Sequence, residues 1–177
     1  MRQEERRART RAALLKAAAE EFAIRGYDGA SVDTIAASVG LSKGAVYANF
    51  PNKLDLYLGT LDALMAQAEL RTERVAAALR EGQDPLGASQ RYFGLGGDAA
   101  HAALVSVLWR TAIEHPAVRS VLEQHLERRR GLLARAAVDA GGNPTEALQT
   151  ASTIERLIDA EILYRQLHEV AGQRAVS

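Results

Sequence analysis

The chain has 177 residues, 47% of them hydrophobic and 25% charged, with only four prolines. That mixture supports a folded, helix-rich protein and argues against disorder. Cysteine is absent, which excludes disulfides, thiolate metal sites and cysteine nucleophiles and makes a reducing cytoplasm the natural compartment. Formal net charge is zero, yet residues 1–53 hold nine Lys/Arg against six Asp/Glu, an excess that suits one end facing a polyanion.

Leu15, Ala19, Phe22 and Ala23 share one face at helical spacing and predict a first helix from about Arg9 to Arg25, ended by Gly26. Its basic start is not a signal peptide, because Lys16, Glu20 and Glu21 interrupt the apolar run. After the link 27–30, Ser31 can cap a short second helix over 32–39. Gly40-Leu41-Ser42 is the next break, with Ser42 capping a third helix from Lys43 to Phe50. Pro51 stops it, and Asn52 can cap a long fourth helix from Lys53 to about Arg80.

Further on, Gly82, Pro85, Gly94, Gly96 and Gly97 leave room only for a brief helix near 87–93. Asp98 can cap a helix over 99–114, and Pro116 opens another to about Ala140. Gly141-Gly142-Asn143-Pro144 is a strong break before a last helix from Thr145 to about Ala171. The expected fold is all-α. The longest uncharged apolar segment, 99–109, is far too short to span a bilayer.

Two short helices joined by a glycine-containing turn form a helix-turn-helix. Ala36 leaves room where they cross, and Ile35, Val39, Leu41, Val46 and Phe50 turn inward toward the first helix. Lys43, Gly44, Tyr47, Ala48 and Asn49 then stand outside, and a major groove about 12 Å wide admits one such helix. Lys43 can donate to guanine O6 or N7, and Gly44 lets the backbone approach closely. Tyr47, Asn49 and Lys53 suit phosphate oxygens, and the helix starts at Ser31 and Ser42 offer free N–H groups. Thr10 and the arginines before it can clamp the DNA backbone from outside.

The run Ser42-Lys43-Gly44-Ala45-Val46-Tyr47-Ala48-Asn49-Phe50-Pro51-Asn52-Lys53 resembles the recognition helix of the tetracycline-repressor family. Phe22-Ala23-x-x-Gly26-Tyr27 and Val32-x-x-Ile35-Ala36 are similar to the family's first two helices. The resemblance covers roughly residues 10–60. It implies a homodimeric regulator, usually a repressor, that binds a palindromic operator in double-stranded DNA and is released by a small-molecule effector. It also makes Lys43 and Gly44 base-contacting and Tyr47, Asn49 and Lys53 phosphate-contacting. The sequence departs from the family at Ala48 and Asn49, so no base preference transfers there.

On this reading residues 1–53 are the DNA-binding domain and residues 54–177 the ligand-binding and dimerising domain. Tyr92, Phe93, His101, Leu104, Leu108, Trp109 and His115 mix apolar walls with a few polar handles, as small-molecule sites do. The resemblance makes residues 117–140 and 145–171 the candidate dimer interface; Ile154, Ile158 and Ile162 lie on one side of the last helix and Ala160, Leu163 and Leu167 on another. That two-sided pattern also fits a helix central to its own subunit.

His101, His115, His125 and His168 lack metal-ligand spacing, so no metal and no cofactor is expected. Gly94-Leu95-Gly96-Gly97 lacks the Lys-Ser/Thr of a phosphate loop, and Arg128-Arg129-Arg130 reads as a solvated helix face. No catalytic set stands out. Three functions compete: a switched DNA-binding regulator; a helical small-molecule-binding protein or enzyme without DNA specificity; and an interaction module whose basic arm touches a membrane or acidic partner.

Overall fold

The computed structural model describes the backbone of residues 2–93 and 99–174, and the side chains of 3–93, 104, 105 and 107–160. The described chain is all-α. Its helices are α1 (Arg2–Gly29), α2 (Val32–Ser38), α3 (Lys43–Tyr47), α4 (Lys53–Arg80), α5 (Pro85–Phe93), α6 (Ala99–Glu114), α7 (Pro116–Asp139) and α8 (Pro144–Arg174).

Helix α1 starts seven residues before the expected Arg9. Glu4 and Glu5 lie in its first turn, where carboxylates complement the helix dipole, and the straight-chain arginines are good helix formers. Gly26 breaks it as expected, with φ 71° and ψ 177°, but Tyr27–Gly29 resume a helical turn instead of forming a free link. A Cβ at Gly26 would lie 2.7 Å from Arg110 Nη2 of α6, the movable tip of an exposed side chain. The deepest residues of α1 are Leu14, Ala18 and Phe22, each fully buried. Leu15, Ala19 and Ala23 pack at their flank, so the inner face is rotated about one residue from the expected one.

Helix α2 ends in a Schellman motif: the N–H of Leu41 donates to the Ala36 carbonyl at 2.9 Å, and that of Gly40 to the Ala37 carbonyl at 3.0 Å. Gly40 has φ 67°, the left-handed conformation this closure needs. The predicted third helix reaches Phe50, whereas α3 proper stops at Tyr47. The difference is slight, because the N–H groups of Ala48 and Phe50 still donate to the Gly44 and Val46 carbonyls, each at 2.9 Å.

Two apolar clusters hold the molecule together. The first joins Leu14, Phe22, Ile35, Val46 and Phe50 to Leu56, Tyr57 and Leu61 of α4 and continues into Leu104, Leu108, Val118 and Leu122 of α6 and α7. The core therefore crosses the sequence boundary at residue 53. The second unites Val75 and Leu79 of α4, Ala88 and Phe93 of α5, Leu133 and Ala136 of α7, and Ala151, Ile154 and Ile158 of α8. The N-terminal half of α8 is thus buried on one side within the subunit. Ile162, Leu163, Leu167 and His168 lie outside the described side chains, as do the Asp98 cap and Gly94–Gly97.

Candidate nucleic-acid interface and candidate ligand cavity

The reading face is fixed by caps. The Ser31 hydroxyl accepts from the Thr34 N–H at 3.4 Å, that of Ser42 from the Ala45 N–H at 3.2 Å, and the Asn52 side-chain carbonyl from the Asp55 N–H at 2.8 Å. Each satisfies a donor that a helix start leaves free. Beneath the face, Ile35, Val46 and Phe50 are almost fully buried. Above it, Lys43, Gly44 and Ala48 are exposed and Tyr47 is 41% exposed. A side chain on Gly44 would meet nothing nearer than Ser42 Oγ at 3.8 Å. Packing inside the subunit does not require glycine there.

The cations of the face are each held by a neighbour. Lys43 Nζ donates to Asp33 Oδ2 at 2.7 Å, and that hydrogen bond with its charge raises the ammonium pKa. Lys53 Nζ donates to the Asp28 carbonyl at 3.0 Å and sits 5.1 Å from the centre of the Tyr27 ring. Arg11 donates to the Asn49 carbonyl at 3.1 Å and lies over the Phe50 ring at 4.2 Å. The Asn49 amide folds back to the Ala45 carbonyl at 2.9 Å and is only partly exposed, as are Thr10 and Ser31. Of the predicted contact residues, Lys43, Gly44, Tyr47 and Ala48 share the outer surface of α3 and the turn after it.

A cavity of about 40 Å3 lies between α4, α6 and α7, with Phe93 of α5 and Asp159 of α8 at its edges. Phe93, Leu108 and Trp109 line it, as the sequence suggested. Leu104 is buried in the first core, and Tyr92 packs on the second. His115 stacks edge-on against Tyr27 at 4.8 Å, at the junction of α1 with α6 and α7. His101 lies outside the described side chains.

Sequence reasoning missed His125, Arg129 and Asp159, which form the polar end of this cavity. Arg129 is 6% exposed, which corrects the reading of Arg128-Arg129-Arg130 as a wholly solvated face. The reason is visible on α7: Val118, Leu122, His125, Arg129, Leu133 and Ala136 form one buried stripe. Spacings of three and four along that stripe were the available signal. Arg129 Nη2 meets Asp159 Oδ1 at 3.1 Å, and Arg130 Nε donates to Glu155 Oε2 at 3.1 Å. Burial first, then the charges of Arg129 and Arg128, lower the His125 pKa to about 4. Among the described residues no cluster of three or more His, Asp or Glu is placed to hold a metal, and no helix is long and apolar enough to cross a membrane.

Residues 14–60 match the family of bacterial regulatory proteins described as the tetR family. The HTH-type transcriptional activator FasR of Mycolicibacterium smegmatis is 49% identical over 51 residues, 29% of this chain and 23% of the activator's own length. The match therefore spans under a quarter of that relative. A transcriptional regulator from Rhodococcus sp. Rha1 superposes with a TM-score of 0.73 at 22% identity, over 91% of this chain and 86% of the other. A TetR-family transcriptional regulator from Mesorhizobium loti gives 0.64 at 22% identity, over 90% and 96%. At such identity the likeness is one of fold, and it extends beyond residues 14–60 over most of the chain.

Proposed function

We propose that this chain, whose residues 14–60 carry the helix-turn-helix of the tetR family, is a sequence-specific DNA-binding transcriptional regulator that acts as a dimer and is switched by a small molecule. The observation that carries the reading is the exposed surface of Lys43, Gly44 and Tyr47 above the buried Val46 and Phe50. Inserted in the major groove, that surface puts Lys43 on base edges, and the open backbone at Gly44 allows close approach. Tyr47, Asn49, Lys53 and Thr10 flank it for phosphates, with the helix starts at Ser31 and Ser42. Residues 1–53 act as the reading unit and 54–177 as the sensing and pairing unit.

Two reading heads on one dimer address half-sites about 34–36 Å apart, so the operator is palindromic. We assign the pairing surface to α7 and α8. Holding the operator represses, and ligand capture shifts the population toward a dimer whose heads no longer fit it.

Selection of bound fragments from random duplex DNA tests this directly, and a palindromic consensus is the expected result. Lys43→Ala then relaxes base preference, whereas Lys53→Ala weakens binding evenly and flattens the salt slope by about one unit. Unselective retention, or wild-type affinity in both variants, ends the assignment.

A further inference from the structure

We propose that the cavity between α4, α6 and α7 takes an uncharged, mainly apolar small molecule through a single hydroxyl or carbonyl group, held by the His125 imidazole and the Arg129 guanidinium. This rests on reading the cavity as the effector site and names the chemistry of its ligand.

The walls are apolar: Leu64, Met65, Leu108, Trp109 and Leu122 among them. Two of the three groups at the polar end are more than nine-tenths buried, His125 at 4% exposed and Arg129 at 6%, while Asp159 is open to solvent. Among the described residues, His125 Nδ1, Arg129 Nε and Glu155 Oε1 have no hydrogen-bond partner, although each is buried. Arg129 Nε stands 3.8 Å from Glu155 Oε1, an ion pair beyond hydrogen-bond reach. Folded proteins pair nearly all such atoms, so His125 Nδ1 and Arg129 Nε, two orphans on residues that line the cavity, mark a place prepared for another polar group.

Charge selects the ligand class. Arg129 and Arg130 face Asp159 and Glu155, two cations against two carboxylates, and Arg128, the other cation acting on His125, is exposed to solvent. A carboxylate or an ammonium would enter a seam already balanced and leave one charge unpaired, which buried sites tolerate poorly. His125 adds no charge near neutral pH, because burial and the neighbouring arginines hold it in the neutral form. A hydroxyl can accept from Arg129 and donate to a ring nitrogen, and a carbonyl can accept from both side chains. The space of about 40 Å3 admits only a few waters, so the ligand must push its walls apart. Met65, unbranched and adaptable, and Trp109, 44% exposed at the rim, are the walls able to give.

Trp109 is the chain's single tryptophan and lines the cavity, so its emission reports occupancy. The full chain is titrated with hexane, 1-hexanol, 2-hexanone, hexanoate and hexylamine. The alcohol, the ketone or both should bind about tenfold or more tighter than hexane and than either ion. In His125→Leu, and in His125→Phe as a second apolar replacement, that advantage disappears while the melting temperature does not fall. Equal binding of all probes, preference for an ion, or an advantage that survives both replacements overturns the proposal but keeps the cavity as effector site. Silence from every probe removes proposal and cavity site together, leaving the DNA selection alone to judge the regulator.

Discussion

In the reading head, Ser31, Ser42 and Asn52 each close a helix start, Lys43 rests on Asp33, and Lys53 rests on the Asp28 carbonyl. At the cavity, His125 Nδ1 and Arg129 Nε are buried and unpartnered among the described residues, as is Glu155 Oε1 across from Arg129. The named groups of the first region are paired locally, within a few residues or one helix crossing, with Tyr57 Oη in the core beneath them as an exception unpartnered among the described residues. The second carries unmet hydrogen-bonding capacity, each orphan costing about 1–3 kcal/mol relative to a paired group. On the proposed function, a surface suited to DNA is thus joined through the first core to a seam whose orphans a bound polar group would satisfy.

The largest test of whether these regions are separable is Phe22→Ala. The ring is fully buried and lies 4.8 Å from Tyr57 in the cluster that runs on into α6 and α7. Its loss should cost about 3–5 kcal/mol and lower the Trp109-monitored unfolding midpoint along with the helical signal. A Trp109 transition left at the wild-type midpoint would show that the head unfolds alone.

Acidification singles out the cavity. The unfolded imidazole binds its proton near 6.5, folded His125 only near about 4. Between those values the unfolded chain holds the extra proton, so stability is complete above pH 6.5 and falls as pH drops toward 4. The His125 share of that loss approaches about 3 kcal/mol. Denaturant unfolding across this range should show the slope in the parent and a shallower one in His125→Leu.

Smaller effects probe the head. Ser42→Ala should lower stability by about 1 kcal/mol by freeing the Ala45 N–H, read as a shifted urea midpoint. Asp33→Ala removes an exposed ion pair that contributes little to folding, yet frees Lys43 and removes a negative charge from the outer surface. Operator affinity should rise slightly in that variant, by fluorescence anisotropy at fixed salt. A fall would mean that Asp33 orients Lys43 rather than restraining it.

Where local chemistry decides structure, the sequence was readable. Asn52, Pro116 and the Gly141–Pro144 break placed the starts of α4, α7 and α8 to within a residue. The exposure of Lys43 and Tyr47 followed from the spacing of Val46 and Phe50. Phase was harder, because α1 carries alanines on several sides and Leu14 and Leu15 compete for the core. The cavity was the least legible, since His125, Arg129 and Asp159 meet only when α7 and α8 pair, a contact across 30 residues. The triple-arginine run obscured the one that belongs to the apolar stripe.

Gly59 of α4 lies where that helix meets the underside of the reading head. A Cβ there would stand 3.0 Å from the Phe50 ring and 3.3 Å from Leu15, with the Arg11 guanidinium 3.6 Å away. The smallest enlargement, to alanine, therefore acts as a wedge under α3 while leaving Lys43, Gly44 and Tyr47 untouched. For a mutating lineage or an engineered library, the pose of the reader and its chemistry are consequently adjustable at different codons.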